Sequence, residues 1–311
     1  MGYFATMTSS SHEANALVKW KASLDIQSQA LLPSWTNAST TSPCTWVGIT
    51  CDDIVSSKSN HVSHINLANL GLRGTLHSLN FSFFPNLQIM NLENNSLYGT
   101  IPHQIGELSK LTTLNVSRNG QSGNIPTSIG NLSSLSYLHM FLNNLSGSIP
   151  SEITKLTSLI EMIIGENALI NGHIPEQIGL LSSLSVLSIH DTNLTGPIPN
   201  SIGKLANLSF LNLVDNKLIG QIPQQIGKLM NLKLLWLRGN EFSGSIPQEI
   251  GMLKQAFEVD LSVNHLSGSI PASMGNMSNL KFLYLYDNKI SGPIPWELGK
   301  LYYILLRECK C

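Results

Sequence analysis

The chain has 311 residues, with 18 lysine and arginine residues against 19 aspartate and glutamate residues, and a formal net charge of −1 at pH 7. This near-neutral balance excludes the basic footprint that nucleic-acid-binding proteins use. No apolar run approaches the roughly 20 residues that a transmembrane helix needs.

The N-terminal region is predicted to form a short tail followed by a cap. The first 20 residues lack the basic segment and following apolar segment of a signal peptide, so none is predicted. Residues 1-11 are expected to be a disordered tail, and residues 12-61 an N-terminal cap. Ser10 and Glu13 have the spacing of a capping box, which would open a short amphipathic helix.

Two cysteines lie in the segment that follows this helix. A disulfide between Cys44 and Cys51 would close a small loop, with Trp46 packed beneath it. Two free thiols are the alternative. A zinc site with His61 and His64 fits poorly, because the cysteine spacing is wider than that of structural zinc sites. We therefore expect a disulfide.

The rest of the chain is dominated by one internal repeat. An Ile-Pro dipeptide recurs every 24 residues, with a single interval of 25. Repetition at a fixed period of this size predicts a solenoid rather than a compact globule, and it overrides the two-domain expectation from length. The dipeptides are Ile101-Pro102, Ile125-Pro126, Ile149-Pro150, Ile174-Pro175, Ile198-Pro199, Ile222-Pro223, Ile246-Pro247, Ile270-Pro271 and Ile294-Pro295.

One copy, LSFLNLVDNKLIGQIPQQIG from Leu208, shows what each repeat is predicted to do. Its alternating residues predict a short strand in which Leu211 and Leu213 point inward. The outward residues are then Phe210, Asn212 and Val214. Asn216 would end the strand and bond backbone groups in the turn. Because one copy cannot bury its own leucines, copies must stack into a parallel sheet with strands about 4.8 Å apart.

The repeat L-x-x-L-x-L-x-x-N-x-L-[ST]-G-x-I-P resembles that of the plant-specific leucine-rich-repeat family, over roughly Val62 to Leu301. The resemblance implies an α/β repeat solenoid: a right-handed leucine-rich-repeat superhelix with a parallel β-sheet on its concave face. The segment EANALVKWKASLD…W…CTWVGITCD resembles the N-terminal cap of plant leucine-rich-repeat receptor kinases. Two repeats depart from the pattern, with Gln121 in place of a leucine and Thr192 in place of the asparagine.

The C-terminal end is predicted to break the pattern. Residues 62-304 are assigned to a solenoid of about ten 24-residue repeats, and residues 305-311 to an irregular, uncapped tail. Arg307 falls where a core leucine is expected. The resemblance implies a cap with well-separated cysteines, and Cys309 and Cys311 are too close together for that role. We expect a truncated receptor or gene product, cut before any membrane span or kinase.

The motifs of catalysis are missing from the sequence. It contains no G-x-G-x-x-G loop, no H-R-D and no D-F-G, so we predict no kinase domain and no enzyme activity in this chain. No metal site and no cofactor are predicted. The full-length proteins of the resembled family carry a Ser/Thr kinase domain.

Outward strand positions of the later repeats are rich in aromatic and charged residues, which commonly anchor binding surfaces. The predicted ligand-binding residues are His190, Asp191, Phe210, Asn212, Trp236, Arg238, Asp260, Phe282, Tyr284 and Tyr286. Strand propensity for aromatics is the alternative explanation. Arg238 could bind a ligand carboxylate. Peptide receptors of the resembled family often carry R-x-R on one strand, which Trp236-x-Arg238 matches only in part.

The chain also carries many N-x-[ST] sequons, which favour a secreted, glycosylated protein. An Asn- and Ser-rich repeat would also generate them by composition alone. The predicted glycosylation sites are Asn37, Asn80, Asn94, Asn115, Asn131, Asn144, Asn193, Asn207 and Asn276. Glycans on Asn94 and Asn115 would obstruct the early strands and leave the later ones open.

The resemblance implies an extracellular ligand-recognition module of a receptor kinase, at the plasma membrane surface or in the apoplast. Its partners would be a peptide or protein ligand and a shorter leucine-rich-repeat co-receptor, with no nucleic acid. One alternative is a secreted inhibitor similar to the polygalacturonase-inhibiting proteins, which carry more cysteines in both caps. The other alternative is a non-functional truncation.

Overall fold

The structure is a computed structural model and describes residues 9–36, 42–52, 60–301 and 305–307. The chain divides into two compact units, Met1–Leu145 and Ser146–Cys311. Each unit is a stack of short strands in which neighbours come from successive repeats, so each has the predicted leucine-rich-repeat fold. The expected disordered tail falls largely on residues 1–8, which lie outside the described residues.

The first unit contains the cap and the early repeats. Its elements are α1 (Ser9–Ser23), α2 (Ile26–Ala30), β1 (Ile49–Asp52), β2 (His61–Asn66), β3 (Arg73–Gly74), β4 (Ile89–Asn91), β5 (Ser96–Thr100), β6 (Thr113–Asn115), β7 (Gly120–Asn124) and β8 (Tyr137–His139). β1 pairs antiparallel with β2, and β4, β6 and β8 follow in parallel. β3, β5 and β7 form a second parallel ladder. Short 3-10 helices complete the coils at Pro43–Thr45, Phe81–Phe83, His103–Glu107 and Thr127–Asn131.

The second unit contains the later repeats, and β9 (Asn144–Ser148) lies at the division. Its further strands are β10 (Glu161–Ile163), β11 (Leu169–Asn171), β12 (Val186–Ser188), β13 (Thr195–Gly196), β14 (Phe210–Asn212), β15 (Lys217–Gly220), β16 (Leu234–Trp236), β17 (Glu241–Ser245), β18 (Glu258–Asp260), β19 (His265–Gly268), β20 (Phe282–Tyr284), β21 (Lys289–Ile290) and β22 (Leu305–Arg307). The even-numbered strands pair in parallel from β10 to β22. The odd-numbered strands pair in shorter ladders. The 3-10 helices are Ser151–Lys155, Ile178–Leu180, Asn200–Lys204, Gln224–Lys228, Gln248–Met252, Ala272–Asn276 and Trp296–Lys300.

The cap is built around three tryptophans. Trp35 lies between Trp20 and Trp46, with ring centroids 6.0 Å and 5.9 Å away, and all three side chains are buried. The predicted disulfide between Cys44 and Cys51 is confirmed and closes the loop that holds Trp46. Stacked aromatic rings and a covalent staple thus organise a segment with little regular structure.

The predicted capping box is not what the structure shows for Glu13. α1 already begins at Ser9, and Glu13 lies on its buried face, 1% exposed. Its carboxylate accepts hydrogen bonds from the backbone N–H of Val62 at 3.3 Å and lies 3.4 Å from Nδ1 of His61. Burial raises the pKa of Glu13, although these two partners oppose the shift. Glu13 therefore joins the cap to β2 rather than capping its own helix.

The repeats pack as the sequence predicts. Leu211 and Leu213 are fully buried, while Phe210 and Val214 are half-buried on the opposite side of the strand. The strand itself is shorter than the alternation suggests and ends at Asn212. Within each unit, most equivalent inward positions carry buried leucine, isoleucine or methionine, so these side chains form apolar rows along the stacked coils.

A ladder of asparagine side chains links successive coils. The Nδ2 group of Asn240 donates to the carbonyls of Leu237 and Arg238 in its own coil, and to that of Leu213 in the preceding coil. Its Oδ1 atom accepts from the N–H of Leu218. The same pattern recurs at Asn95, Asn119, Asn143, Asn216, Asn264 and Asn288.

Two irregular positions in the sequence have different consequences. Thr192 stands in for a ladder asparagine and donates its hydroxyl hydrogen to Oδ1 of Asn216, so the ladder continues. Gln121 stands in for a core leucine and is fully buried, but neither atom of its side-chain amide has a hydrogen-bond partner among the described residues. The departure at Gln121 thus puts an unpaired amide into the core, and the predicted local weakness there stays a prediction.

The register of the last strand corrects the prediction for Arg307. Leu306 pairs with Leu283, and Arg307 pairs with Tyr284. The interval to the preceding strand is therefore 23 residues rather than 24, which gives Arg307 the register position of Tyr284 and not the predicted core position. Cys309 and Cys311 lie outside the described residues.

The asparagine ladder generates a stability prediction. Replacing Asn240 with alanine removes the hydrogen-bond acceptor of the buried Leu218 N–H and one of the donors to each of three carbonyls, and we expect it to lower the free energy of unfolding by about 3 kcal/mol. Asn231→Ala is the control, because Asn231 is exposed and donates only to the carbonyl of Ala206. Urea unfolding followed by circular dichroism measures both. Equal losses in the two variants would contradict this role for the ladder.

Gln121 generates the opposite prediction. Gln121→Leu removes two buried, unpaired amide atoms and restores the apolar row, so we expect a gain in stability of about 1–3 kcal/mol. Gln104→Leu makes the same chemical change at an exposed position and should alter stability by less than about 0.5 kcal/mol. Thermal melting of both variants provides the comparison, and a destabilised Gln121→Leu protein would disprove the prediction.

Candidate functional site

The even-numbered strands of the second unit present one continuous row of outward side chains, which we call the sheet face. In register, Trp236 of β16 pairs with Asp260 of β18, and Asp260 pairs with Tyr284 of β20. The predicted alignment of these three residues is confirmed. Two strand spacings, roughly 10 Å, separate the tryptophan from the tyrosine.

The aromatic residues of the sheet face form two groups. On one side, Phe210 meets Trp236 edge to face, with ring centroids 4.9 Å apart. On the other side, Phe282 contacts Phe257 at 5.2 Å and lies parallel to Tyr284 at 6.5 Å. Edge-to-face and offset geometries are the preferred ones, so each group holds its rings in place before any ligand arrives.

The strand between the two aromatic groups, β18, carries carboxylates. Oδ1 of Asp260 accepts hydrogen bonds from the backbone N–H of Ser262 at 3.0 Å and from its hydroxyl group at 2.5 Å. Glu258 lies two residues before Asp260 on the same face and pairs in register with Leu234 and Phe282. The sheet face therefore alternates aromatic, acidic and aromatic strands.

Glu258 was not among the predicted site residues. Burial raises the pKa of its carboxyl group, and the nearby Asp260 carboxylate raises it further. The indole N–H of Trp236 lies close enough to favour the charged form, but it completes no hydrogen bond with Glu258. The outward alternation of β18 could have identified Glu258, whereas its burial depends on neighbours from other strands, which in register are Leu234 and Phe282.

Asn212 differs from the other predicted ligand-binding residues. It is only 7% exposed, its Nδ2 group donates to Oγ of Ser188, and its Oδ1 atom accepts from the N–H of Val214. The side chain of Asn212 therefore lies against the sheet and does not project from the sheet face toward a ligand.

The remaining predicted residues lie along the end of the strands. Arg238 has 44% of its side chain exposed, and its Nη1 atom lies 3.9 Å from Oδ2 of Asp215, a distance that gives only a weak ion pair. Nδ1 of His190 lies 2.9 Å from Oδ2 of the adjacent Asp191. Tyr286 is half-buried at the same edge. Arg238 therefore keeps most of its donors available, whereas the histidine pairs locally.

The outward positions of the first unit have a different character. Asn115 is 8% exposed, its amide donates to Oε2 of Glu93, and its Oδ1 atom accepts from the N–H of Ser117. Arg118 lies 5.3 Å from the ring centroid of Phe141 and 3.8 Å from Glu93. These polar side chains are engaged with one another, which leaves fewer groups for a ligand.

The described residues contain no group of three or more histidine, cysteine, aspartate or glutamate side chains placed to bind a metal ion. Within the same ranges, no helix has both the length and the apolar character needed to span a bilayer. The sheet face itself offers aromatic, acidic and guanidinium groups.

Comparison with protein families matches the chain to two models. Residues 10–52 match the leucine rich repeat N-terminal domain. Seven segments that together cover more than half of the chain match the Leucine Rich Repeat model, at residues 86–108, 110–132, 134–156, 183–205, 207–229, 231–253 and 279–301.

Relatives and solved structures point to plant receptor kinases. MDIS1-interacting receptor like kinase 2 of Arabidopsis thaliana is 41% identical over 101 residues, which are 32% of this chain and 9% of that protein. The ectodomain of the Arabidopsis thaliana receptor kinase GASSHO1/SCHENGEN3, in complex with CASPARIAN STRIP INTEGRITY FACTOR 2, is similar with a TM-score of 0.78 and 32% identity, over 92% of this chain and 36% of that one.

A second solved ectodomain is that of the Arabidopsis receptor kinase HAESA, in complex with the peptide hormone IDA and the co-receptor SERK1. It has a TM-score of 0.74 and 31% identity, over 96% of this chain and 54% of that one. The chain thus spans about half or less of each of these proteins, and its similarity lies in their leucine-rich-repeat parts. The described residues contain no kinase domain.

Proposed function

This chain belongs to the leucine-rich repeat family, and from that premise we propose that the sheet face of its second unit binds a peptide or protein ligand in cell-surface signalling. The observation that carries the proposal is the row of Trp236, Asp260 and Tyr284 with ordered rings on both sides of a carboxylate. Similar ectodomains have been solved in complex with a peptide hormone, which supports this assignment.

The spacing of the face suits an extended ligand. An extended peptide advances about 3.3 Å per residue, so three residues would bridge the roughly 10 Å between Trp236 and Tyr284. Rigid aromatic side chains lose little conformational entropy on binding, which makes them effective anchors. Arg238 lies two residues beyond Trp236 with an exposed guanidinium group, and it would bind a ligand carboxylate.

The proposal includes a location and a second partner. We place the chain on the extracellular side of the plasma membrane or in the apoplast, as part of a receptor-kinase system. The exposed sequon asparagines and the cap disulfide support an oxidising, secretory environment. A shorter leucine-rich-repeat co-receptor is the proposed partner of the ligand-bound form, because the similar HAESA ectodomain has been solved with the co-receptor SERK1.

Alanine substitution tests the face. A peptide selected from a display library on the immobilised chain serves as the ligand, and calorimetry measures its affinity. Because both rings are ordered by neighbouring side chains, we expect Trp236→Ala and Tyr284→Ala each to cost about 2 kcal/mol of binding free energy or more.

Two control substitutions complete this experiment. Asn66→Ala changes an exposed strand position of the first unit, and Tyr98→Ala removes an exposed aromatic ring, 46% exposed, from an odd-numbered strand. Each should cost less than about 0.5 kcal/mol. If the selected peptides bind the two control variants more weakly but bind the Trp236→Ala and Tyr284→Ala variants with unchanged affinity, the ligand binds elsewhere.

Glycosylation provides an independent prediction about the secreted protein. We expect Asn80, Asn131, Asn144 and Asn276 to carry glycans, because these side chains are exposed. Asn115 should be unmodified in folded material, since its amide is buried and donates to Glu93.

Glycopeptide mapping of protein secreted from plant cells measures the occupancy of each sequon. Asn94, Asn193 and Asn207 already donate from Nδ2 to neighbouring oxygens, so intermediate occupancy is expected there. Asn37 lies outside the described residues. Full occupancy at Asn115, together with bare Asn131 and Asn276, would contradict the prediction.

A further inference from the structure

We propose that the sheet face contains a site for one basic side chain of the ligand, formed by Trp236, Glu258, Asp260, Phe282 and Tyr284. We call it the acidic–aromatic site. The inference rests on the proposed function and specifies the class of ligand: a peptide with an arginine at the position that contacts β18.

The two carboxylates of the site face the same way. Glu258 and Asp260 are two residues apart on β18, so both project from the sheet face. In register, Glu258 lies between Leu234 and Phe282, while Asp260 lies between Trp236 and Tyr284. A group that sits over β18 would therefore meet both carboxylates and be flanked by rings.

Both carboxylates lack a cationic partner among the described residues. No lysine, arginine or histidine nitrogen there lies within 4.0 Å of either one. Two cations lie next to the flanking strands in the sequence: the ammonium group of Lys281 lies 5.2 Å from the ring centroid of Phe257, and Nη1 of Arg238 lies 3.9 Å from Oδ2 of Asp215. Oδ1 of Asp260 is satisfied by Ser262, which leaves Oδ2 for a ligand.

The surroundings of Glu258 provide a second observation. The indole nitrogen of Trp236 is buried and has no hydrogen-bond partner among the described residues. It lies beside Glu258, whose pKa is raised by burial and by Asp260. A positive charge placed over β18 would offset the desolvation of Glu258 and its repulsion from Asp260.

The aromatic walls select the kind of cation. Calcium and magnesium ions take six or more oxygen ligands, and the tryptophan and phenylalanine rings beside these carboxylates offer none. Organic cations, in contrast, are attracted to the faces of tryptophan, tyrosine and phenylalanine rings. A guanidinium group is favoured over an ammonium group because it is planar, stacks on rings and donates to two carboxylates at once.

The test uses the full chain labelled with ¹⁵N and a small probe, N-acetyl-arginine methylamide. Binding is followed by the indole N–H signal of Trp236, which is identified by its loss in Trp236→Phe. We expect the signal to shift saturably with the arginine probe. N-acetyl-citrulline methylamide, which has the same shape without the charge, should produce at least about tenfold weaker binding.

Substitutions on β18 remove the charge of the two carboxylates while keeping the shape of their side chains. Glu258→Gln combined with Asp260→Asn should weaken binding of the arginine probe by at least about tenfold while the other indole signals stay in place. Asn91→Asp, at an outward position of β4, is a surface-charge control and should leave the affinity unchanged. The comparison of arginine with citrulline on the unmodified chain decides the question even if the double variant does not fold.

The pH dependence provides a third readout. Only ionised Glu258 attracts the cation, so affinity should be full above its raised pKa and fall as the pH drops through it, with a smaller dependence in Glu258→Gln. The charged or titratable groups around Glu258 are Asp260 on its own strand, Lys233 and Arg238 next to β16, and Lys281 and Tyr284 on the β20 side.

Two results would overturn the inference. One is an equal shift with the arginine and citrulline probes, or no shift with either. The other is a set of library-selected peptides that require Trp236 and Tyr284 but bind the Glu258→Gln, Asp260→Asn protein as tightly as the unmodified chain. In that second case the peptide-binding face stands and only its preference for a basic residue fails.

Discussion

The hydrogen bonds of one asparagine per repeat determine how the coils stack. Each strand is followed by a tight turn whose carbonyl groups accept hydrogen bonds from side-chain amides. A single side-chain amide bonds its own turn and also the coil before it, as Asn240 does with Leu213 and Leu218. Because buried polar backbone groups must be paired, a coil shifted by one residue would leave several of them unsatisfied. The ladder thus fixes the register of the strands.

Because the register is fixed, the outward residues of successive strands line up and form one surface. Parallel sheets are usually covered on both faces by helices. Here one face of each sheet packs on the leucine rows, and the other presents side chains that the core does not require. On the second unit this face carries Phe210, Trp236, Phe282 and Tyr284, ordered by mutual contacts. The partly buried carboxylate of Glu258 lies on the same face. Neither the core nor the asparagine ladder requires a carboxylate there.

The sequence predicts well whatever follows from period and register. The inward leucines and the row of Trp236, Asp260 and Tyr284 follow from them, whereas the disulfide of Cys44 and Cys51 follows from the two cysteines of the cap segment. The sequence predicts poorly the contacts between residues that are far apart in the chain. Glu13 has the local signature of a cap, yet its partner Val62 lies 49 residues further on and belongs to another element.

Side-chain exposure was the other failure, for a related reason. Alternation correctly puts Asn212 on the outer side of its strand, but a short amide can fold back and bond Ser188 and the N–H of Val214. The partial burial of Glu258 depends on the residues of the flanking strands, where its register neighbours are Leu234 and Phe282. At Arg307, one repeat that is a residue shorter than the others shifts every later position.

Photo-crosslinking tests the central claim, that the sheet face of the later repeats is the recognition surface, most directly. A library-selected peptide carrying a benzophenone side chain would be irradiated with the full chain, and the modified residues would be mapped by mass spectrometry. The account predicts crosslinks to residues of β14, β16, β18 and β20. Crosslinks confined to the Ile-Pro side of the coils, or to β2, β4 and β6, would contradict it.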